Sequence, residues 1–189
     1  MKTGRKNNNS GFSLVELIIV IAIMAVLVGV MAMSVTSLTG RRVRKCADEI
    51  VTTLERTRVL TLGKEQNQVE CVISYDETSK EYKAQIMQGG TEVSNRILGK
   101  DPIEIEVYFE GDDKGYSLSQ LKGSDSLVPY VSNLNGLHLL FNRASGAFEK
   151  STTTANNVPK EYCSKIVVSS GSRTVEIVTV GKTGKILTK

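Results

Sequence analysis

The chain has 189 residues, a formal net charge of +4, 5% aromatic residues and no tryptophan. Three positive charges, Lys2, Arg5 and Lys6, sit in the first eleven residues, so the rest is close to neutral and its net charge calls for no polyanionic partner. The scarcity of aromatic rings also argues against a carbohydrate-stacking platform.

The first element is a short polar, basic segment, Met1–Gly11, without an acid. Such a flank suits the cytoplasmic side under the positive-inside rule, although the Arg41–Lys45 cluster further on is as basic, so that rule alone leaves the orientation open. Gly11-Phe12-Ser13-Leu14-Val15-Glu16 follows, and then 24 residues, Leu17 to Gly40, carry no charge. A bilayer core of about 30 Å takes roughly 20 apolar helical residues to cross, and Leu17–Leu38 has that length. Glu16 stands at the edge of this run. A carboxylate in hydrocarbon costs about 2.5–3.5 kcal/mol on the insertion scale, so it needs a positive partner. A secretory signal peptide fits less well: the run is too long, Glu16 interrupts its start, and Ala32-Met33-Ser34 is a mediocre cleavage site. An ordinary signal anchor leaves Glu16 without purpose.

Gly11, Phe12 and Glu16, ahead of a long apolar run at the extreme N-terminus, resemble the type III signal of type IV prepilins and pseudopilins. The resemblance implies that a prepilin peptidase cuts between Gly11 and Phe12 and that the new Phe12 amine is methylated. It also implies that Glu16 pairs with the Phe12 amine of a neighbouring subunit during assembly. A paired buried charge is tolerated where an unpaired one is not, so such a pair sets axial register. The implied partners are other pilin or pseudopilin subunits, the peptidase, an assembly-platform membrane protein and the bilayer. The implied location is a single-pass cytoplasmic (inner) membrane protein, N-terminus inside, with an extracytoplasmic domain that ends in a cell-surface or periplasmic filament.

Arg41-Arg42-Val43-Arg44-Lys45 comes next. It reads as a helix leaving the membrane with basic side chains reaching head groups, or as an anionic-lipid or nucleic-acid patch. Val43, Ala47, Ile50, Leu54 and Thr61 then recur at helical spacing, with Cys46 and Val51 beside the stripe. Glu55, Thr57 and Arg58 read as solvent-face residues, and Gly63 as the stop. The expectation is one helix of about 50 residues, near 75 Å at ~1.5 Å per residue.

Beyond Gly63 the period becomes two. Val69, Cys71, Ile73 and Tyr75 alternate with Glu70, Val72 and Ser74, and Tyr82, Ala84 and Ile86 with Lys83, Gln85 and Met87; Asp76–Lys80 is the hairpin loop between them. Ile103, Ile105, Val107 and Phe109 alternate with Glu104, Glu106, Tyr108 and Glu110. Gly111–Gly115 reads as a turn and the stretch to Gly136 as irregular. Leu137–Phe141, Ala147–Glu149, Ile166–Val168, Val175–Val180 and Lys185–Thr188 read as strands, with a polar loop at Ser151–Val158. The expected class is α+β: one long N-terminal helix, transmembrane and then amphipathic, packed on an antiparallel sheet of seven or eight strands. Its organisation is leader 1–11, transmembrane and assembly helix 12–40, amphipathic continuation 41–63 and β-rich pilin-like domain 64–189. Phe141-Asn142-Arg143-Ala144-Ser145-Gly146, Ile166-Val167-Val168 and Gly181-Lys182-Thr183-Gly184-Lys185-Ile186 resemble the domain of the type II secretion minor pseudopilin H and of FimT-like minor pilins.

Enzyme chemistry is sparse. His138, the only histidine, lies on the opposite strand face from Leu137 and Leu139 and reads as a satisfied or solvent-facing strand residue, since no catalytic motif accompanies it. Glu104, Glu106 and Glu110 read as a charged outer face that protects the sheet. No residue pattern points to a cofactor, a metal or a catalytic group. Cys71 and Cys163 form the pair to consider for a disulfide, against three buried thiols, with Cys46 on the helix stripe fitting the latter. The chain therefore reads as a structural subunit, a minor pilin or pseudopilin, and not as an enzyme. The alternative is a DNA-binding minor pilin of an uptake pilus, using Lys160, Lys165, Arg173, Lys182, Lys185 and Lys189.

Overall fold

The computed structural model describes residues 13–63, 69–123, 134–156 and 158–189, with the side chains of 31–38 left out. It has two compact units, divided between Leu38 and Thr39. Helix α1, Leu14–Gly63, is the only long helix among the described residues and ends at the glycine expected to stop it. In the first unit every described helical side chain, from Leu14 to Val30, is exposed, and nearly all are large and apolar. Among the described residues no helix is long and apolar enough to cross a membrane; within the uncharged run the described side chains reach Val30, short of the expected Leu38.

The second unit begins with the amphipathic part of α1. Val43, Cys46, Ala47, Ile50 and Leu54 are fully buried, as the 3.6-residue period requires. The stripe continues in threonine: Thr53, Thr57 and Thr61 are buried too. Each hydroxyl donates to the carbonyl four residues earlier, in Glu49, Thr53 and Thr57. The helix satisfies the hydroxyls itself, leaving the methyl groups for the core. Thr57, expected on the solvent face, is therefore a core residue.

Twelve strands follow among the described residues, where seven or eight were expected. β1 (Val69–Asp76), β2 (Glu81–Gln88), β3 (Thr91–Lys100) and β7 (Leu137–Leu140) form an antiparallel sheet in the order β3-β2-β1-β7. β3 has exposed residues along most of its length and no clean alternation, so period-two reading misses it. β4 (Glu104–Phe109), β5 (Asp112–Ser117), β10 (Cys163–Ser170), β11 (Arg173–Val180) and β12 (Lys185–Thr188) form a second sheet in the order β12-β11-β10-β4-β5. The expected turn at Gly111–Gly115 is tighter: β5 already starts at Asp112. A small third sheet joins β6 (Leu121–Gly123), β8 (Thr153–Ala155) and β9 (Val158–Pro159) inside stretches expected to be irregular.

One core joins the helix stripe to both large sheets. Cys71, Ile73, Leu137 and Leu139 face it from the first sheet; Ile105, Val107, Phe109, Ile166, Val168 and Ile177 face it from the second. Glu104, Glu106 and Glu110 are exposed on the outer side, as expected. The other face of the first sheet is also closed. Glu70 and Val72, the outward set in a simple alternation, are buried with His138 and Leu140.

The three cysteines are free and buried. Cys71 lies on β1 of the first sheet and Cys163 on β10 of the second, so the Cys71–Cys163 bond is not made. Burial pushes all three thiols up to about 12, Cys46 with help from the negative Glu49 and Cys71 from Glu70. Protonated and enclosed, they behave as small hydrophobes.

Candidate functional site

The residues that carry the sequence argument are N-terminal. Gly11 and Phe12 lie outside the described residues. Ser13 is the last residue before α1, and its carbonyl accepts the amide of Leu17 at 3.1 Å, the first helical bond. Glu16 thus falls in the first turn of α1 and is exposed. There the free amides of a helix start favour a carboxylate by about 0.3–1 kcal/mol. Ser13 and Glu16 have the Ser-x-x-Glu spacing of a capping box, a signal in the sequence that marks the helix start. Glu16 is therefore pre-placed at the positive end of its own helix.

Gly146 and Gly184, from the two turn segments that resemble minor pilins, meet each other. Gly146 adopts φ 67° and Gly184 φ 66°. A Cβ on Gly184 would run into the Gly146 carbonyl, and one on Gly146 would press on the Arg58 guanidinium. Arg58, expected in solvent, instead reaches from the helix over this junction and donates to the Thr183 carbonyl at 3.2 Å. These glycines pack backbone against backbone and lock the last hairpin to the Asn142–Gly146 turn.

His138 and Glu70 form a second constellation, found only in three dimensions. In the antiparallel register Val72 faces His138 and Glu70 faces Leu140, which places Glu70 and His138 diagonally on one face. Glu70 Oε1 lies 2.5 Å from His138 Nδ1, and both residues are buried. His138 Nε2 lies 2.7 Å from the Leu134 carbonyl, to which it donates. Nε2 thus serves as a donor, and Nδ1 is left to hydrogen-bond the Glu70 carboxyl group. Thr153 Oγ1 accepts the His138 amide, and Ser151 Oγ donates to the His138 carbonyl. Glu70 Oε2 has no partner. The pair is sealed from solvent and cross-links β1 to β7; it is a buried packing element.

Two basic residues of the nucleic-acid alternative are engaged by acids of their own domain. Lys160 is bound to Asp112 at 2.6 Å and to the Tyr116 hydroxyl at 3.0 Å, with its ammonium 4.6 Å from the Tyr116 ring centre. Lys165 pairs with Glu176 at 3.4 Å and lies over Tyr108. Arg173, Lys185 and Lys189 are exposed, as is Lys182. The Lys160 ammonium holds the Asp112 carboxyl well below the ordinary range, with the Tyr116 hydroxyl adding to the effect; Lys83 does the same for Asp76.

No curated protein and no solved structure matches the chain. Residues 6–32 match the family model of the prokaryotic N-terminal methylation motif, a span that includes Gly11, Phe12, Glu16 and most of the uncharged run. The chain carries the N-terminal signal of type IV prepilins.

Proposed function

We propose that the protein is a structural subunit, a minor pilin or pseudopilin, of a type IV pilus or type II secretion-like filament. The methylation motif over residues 6–32 carries this reading. Prepilin peptidase removes Met1–Gly11, and the exposed Phe12 amine is methylated. The uncharged run Leu17–Leu38 holds the processed subunit in the cytoplasmic membrane as a single span, N-terminus inside, until the assembly platform takes it up. The bare apolar surface of Leu14–Val30 supports this, because a helix apolar on every side needs lipid or like helices around it. Glu16 then meets the Phe12 amine of a neighbour. The work of extraction falls to a separate cytoplasmic ATPase.

Mass spectrometry of the native protein tests the reading. A mature chain beginning at N-methyl-Phe12 is expected, and Gly11→Leu should leave the full-length chain in the membrane. Glu16→Ala should still be cleaved and inserted but should enter filaments poorly, since the neighbour's amine loses its partner. A native chain that retains Met1, or is cut after Ser34, would refute the proposal.

A further inference from the structure

The start of the second unit carries a concentrated positive charge. Arg41, Arg42, Arg44 and Lys45 are all exposed, while Val43 between them and Cys46 after them are buried. Among the described residues none of the four forms an ion pair. The nearby acids are otherwise engaged or single: Glu49 is taken by Arg96 at 3.0 Å, Glu81 by Lys100 at 2.6 Å, and Asp101 accepts the Tyr75 hydroxyl at 3.4 Å. Asp48 is the remaining carboxylate on this stretch of helix.

Arg42 and Lys45 form one wall of a cleft of about 430 Å³. The opposite wall comes from the end of β3 and the turn after it, with Ile97, Leu98, Lys100, Asp101 and Ile103; the Asp101 carboxylate accepts the Tyr75 hydroxyl and Lys100 is held by Glu81. Leu98 and Ile103 are buried, whereas Ile97 is 56% exposed and Val93, on the same strand, 46%. The cleft therefore pairs a surplus of cations, Arg42 and Lys45 against Asp101, with an exposed apolar rim at Ile97. A bare phosphate needs the first and not the second. A nucleic-acid backbone likewise gains nothing from exposed isoleucine and valine. An anionic phospholipid uses both, its phosphate on Arg42 and Lys45 and its glycerol and upper acyl carbons against Ile97.

The position of the cluster in the chain agrees. Arg42 is four residues beyond Leu38, about 6 Å at 1.5 Å per helical residue. The interfacial layer of a bilayer is about 5–7 Å thick on each side of the hydrocarbon. We propose that the Arg42–Lys45/Ile97 cleft is a binding site for the head group of an anionic phospholipid in the leaflet on which the second unit rests. It orients the subunit before assembly and must be vacated when the subunit is extracted.

The inference rests on the membrane-anchored reading, so the full chain is tested in membranes. It would be extracted into micelles containing equal amounts of phosphatidylglycerol and phosphatidylcholine, and the retained lipid counted by native mass spectrometry. Preferential retention of phosphatidylglycerol is expected. Each cation near an anionic surface contributes about a fivefold gain, so Arg42→Gln with Lys45→Gln should lower the preference by more than about tenfold. Lys182→Gln with Lys185→Gln, an equal loss of charge elsewhere, should leave it unchanged, and Ile97→Asp should weaken it with all cations in place. Equal retention of the two lipids, or an equal loss in the Lys182/Lys185 variant, would overturn the proposal. So would displacement by millimolar inorganic phosphate, which marks a free-anion site, or tighter binding of duplex DNA lost with the same two substitutions. A wild-type chain recovered outside the membrane fraction refutes the anchored reading as well; a membrane-bound chain without lipid preference refutes this inference alone.

Discussion

His138→Ala should destabilise the second unit severely. His138 and Glu70 are 0% and 3% exposed, so removing the imidazole leaves a buried carboxyl group without its hydrogen-bond partner, and with Oε2 already unpartnered. Breaking a buried pair from one side costs about 3–5 kcal/mol. With a urea slope near ~2 kcal/mol/M for a domain of this size, the midpoint should fall by about 1.5–2.5 M. Glu70→Gln is the informative companion. Its amide can donate to Nδ1 while Nε2 keeps the Leu134 carbonyl, so every hydrogen bond survives with no charge, and the cost should stay below about 1 kcal/mol. Replacing both residues together by leucine should come within about 1 kcal/mol of wild type, because two apolar groups also remove the orphaned oxygen. Equilibrium urea unfolding of residues 39–189, a compact unit by itself, followed by circular dichroism, measures all three. A His138→Ala midpoint within about 0.3 M of wild type, or a Glu70→Gln loss equal to that of His138→Ala, would refute the description of the pair as a sealed, hydrogen-bonded contact.

Gly184→Ala should lower stability by more than about 2 kcal/mol, because the new methyl collides with the Gly146 carbonyl at a positive φ. Gly171→Ala, at φ 59° with open space around it, should cost only the backbone strain, and thermal melts of the two separate steric from conformational effects. The three thiols should resist an aromatic disulfide reagent at about pH 8 in the folded chain and react fully in guanidinium, since burial has raised them to about 12; fast labelling of even one in the native state would contradict their enclosure. Asp112 is held below its ordinary value by Lys160, so the stabilisation it gains on folding is present above the unfolded carboxylate value of about 3.9 and is lost as pH falls through the lower folded value. Lys160→Met should therefore be less stable than wild type at about pH 7, with the gap closing below about pH 4; a gap that stays constant down to about pH 2 would rule out the charge pair as its cause.

What the sequence disclosed depended on whether one residue type had one reading. The helix from the first turn to Gly63, the hairpin at Asp76–Lys80 and the alternation of Ile103 to Phe109 were legible because apolar and polar residues there follow a single period. The threonine end of the helix stripe was not. A threonine reads as polar until its hydroxyl is seen bonded to its own helix, which turns Thr57 into a core residue. Glu70 was misplaced for a related reason. Alternation puts it outward, but a histidine 68 residues away neutralises it, and no local signal records that partner. At the N-terminus the signal is local, a few residue types at fixed spacing, which is why the functional reading was accessible there. The cleft at Arg42 and Lys45 was half legible: the cations stand in the sequence, while the wall opposite belongs to β3, a strand that exposure on both faces hides.

The pairing order of the strands constrains when this domain can exist. β1 is completed on one side by β7, joining Glu70 to Leu140, and β4 by β10, joining Phe109 to Cys163. β10 is the middle strand of its sheet, yet it lies far downstream of the β4–β5 hairpin it pairs with. Until residues 163–170 arrive, β4 and β5 are an isolated hairpin with Ile105, Val107 and Phe109 uncovered, and such a hairpin is marginal in water. Contacts this far apart in sequence form slowly, on the scale of milliseconds to seconds. A chain of this topology completes its second sheet only when β10 is present to join the β4–β5 and β11–β12 hairpins.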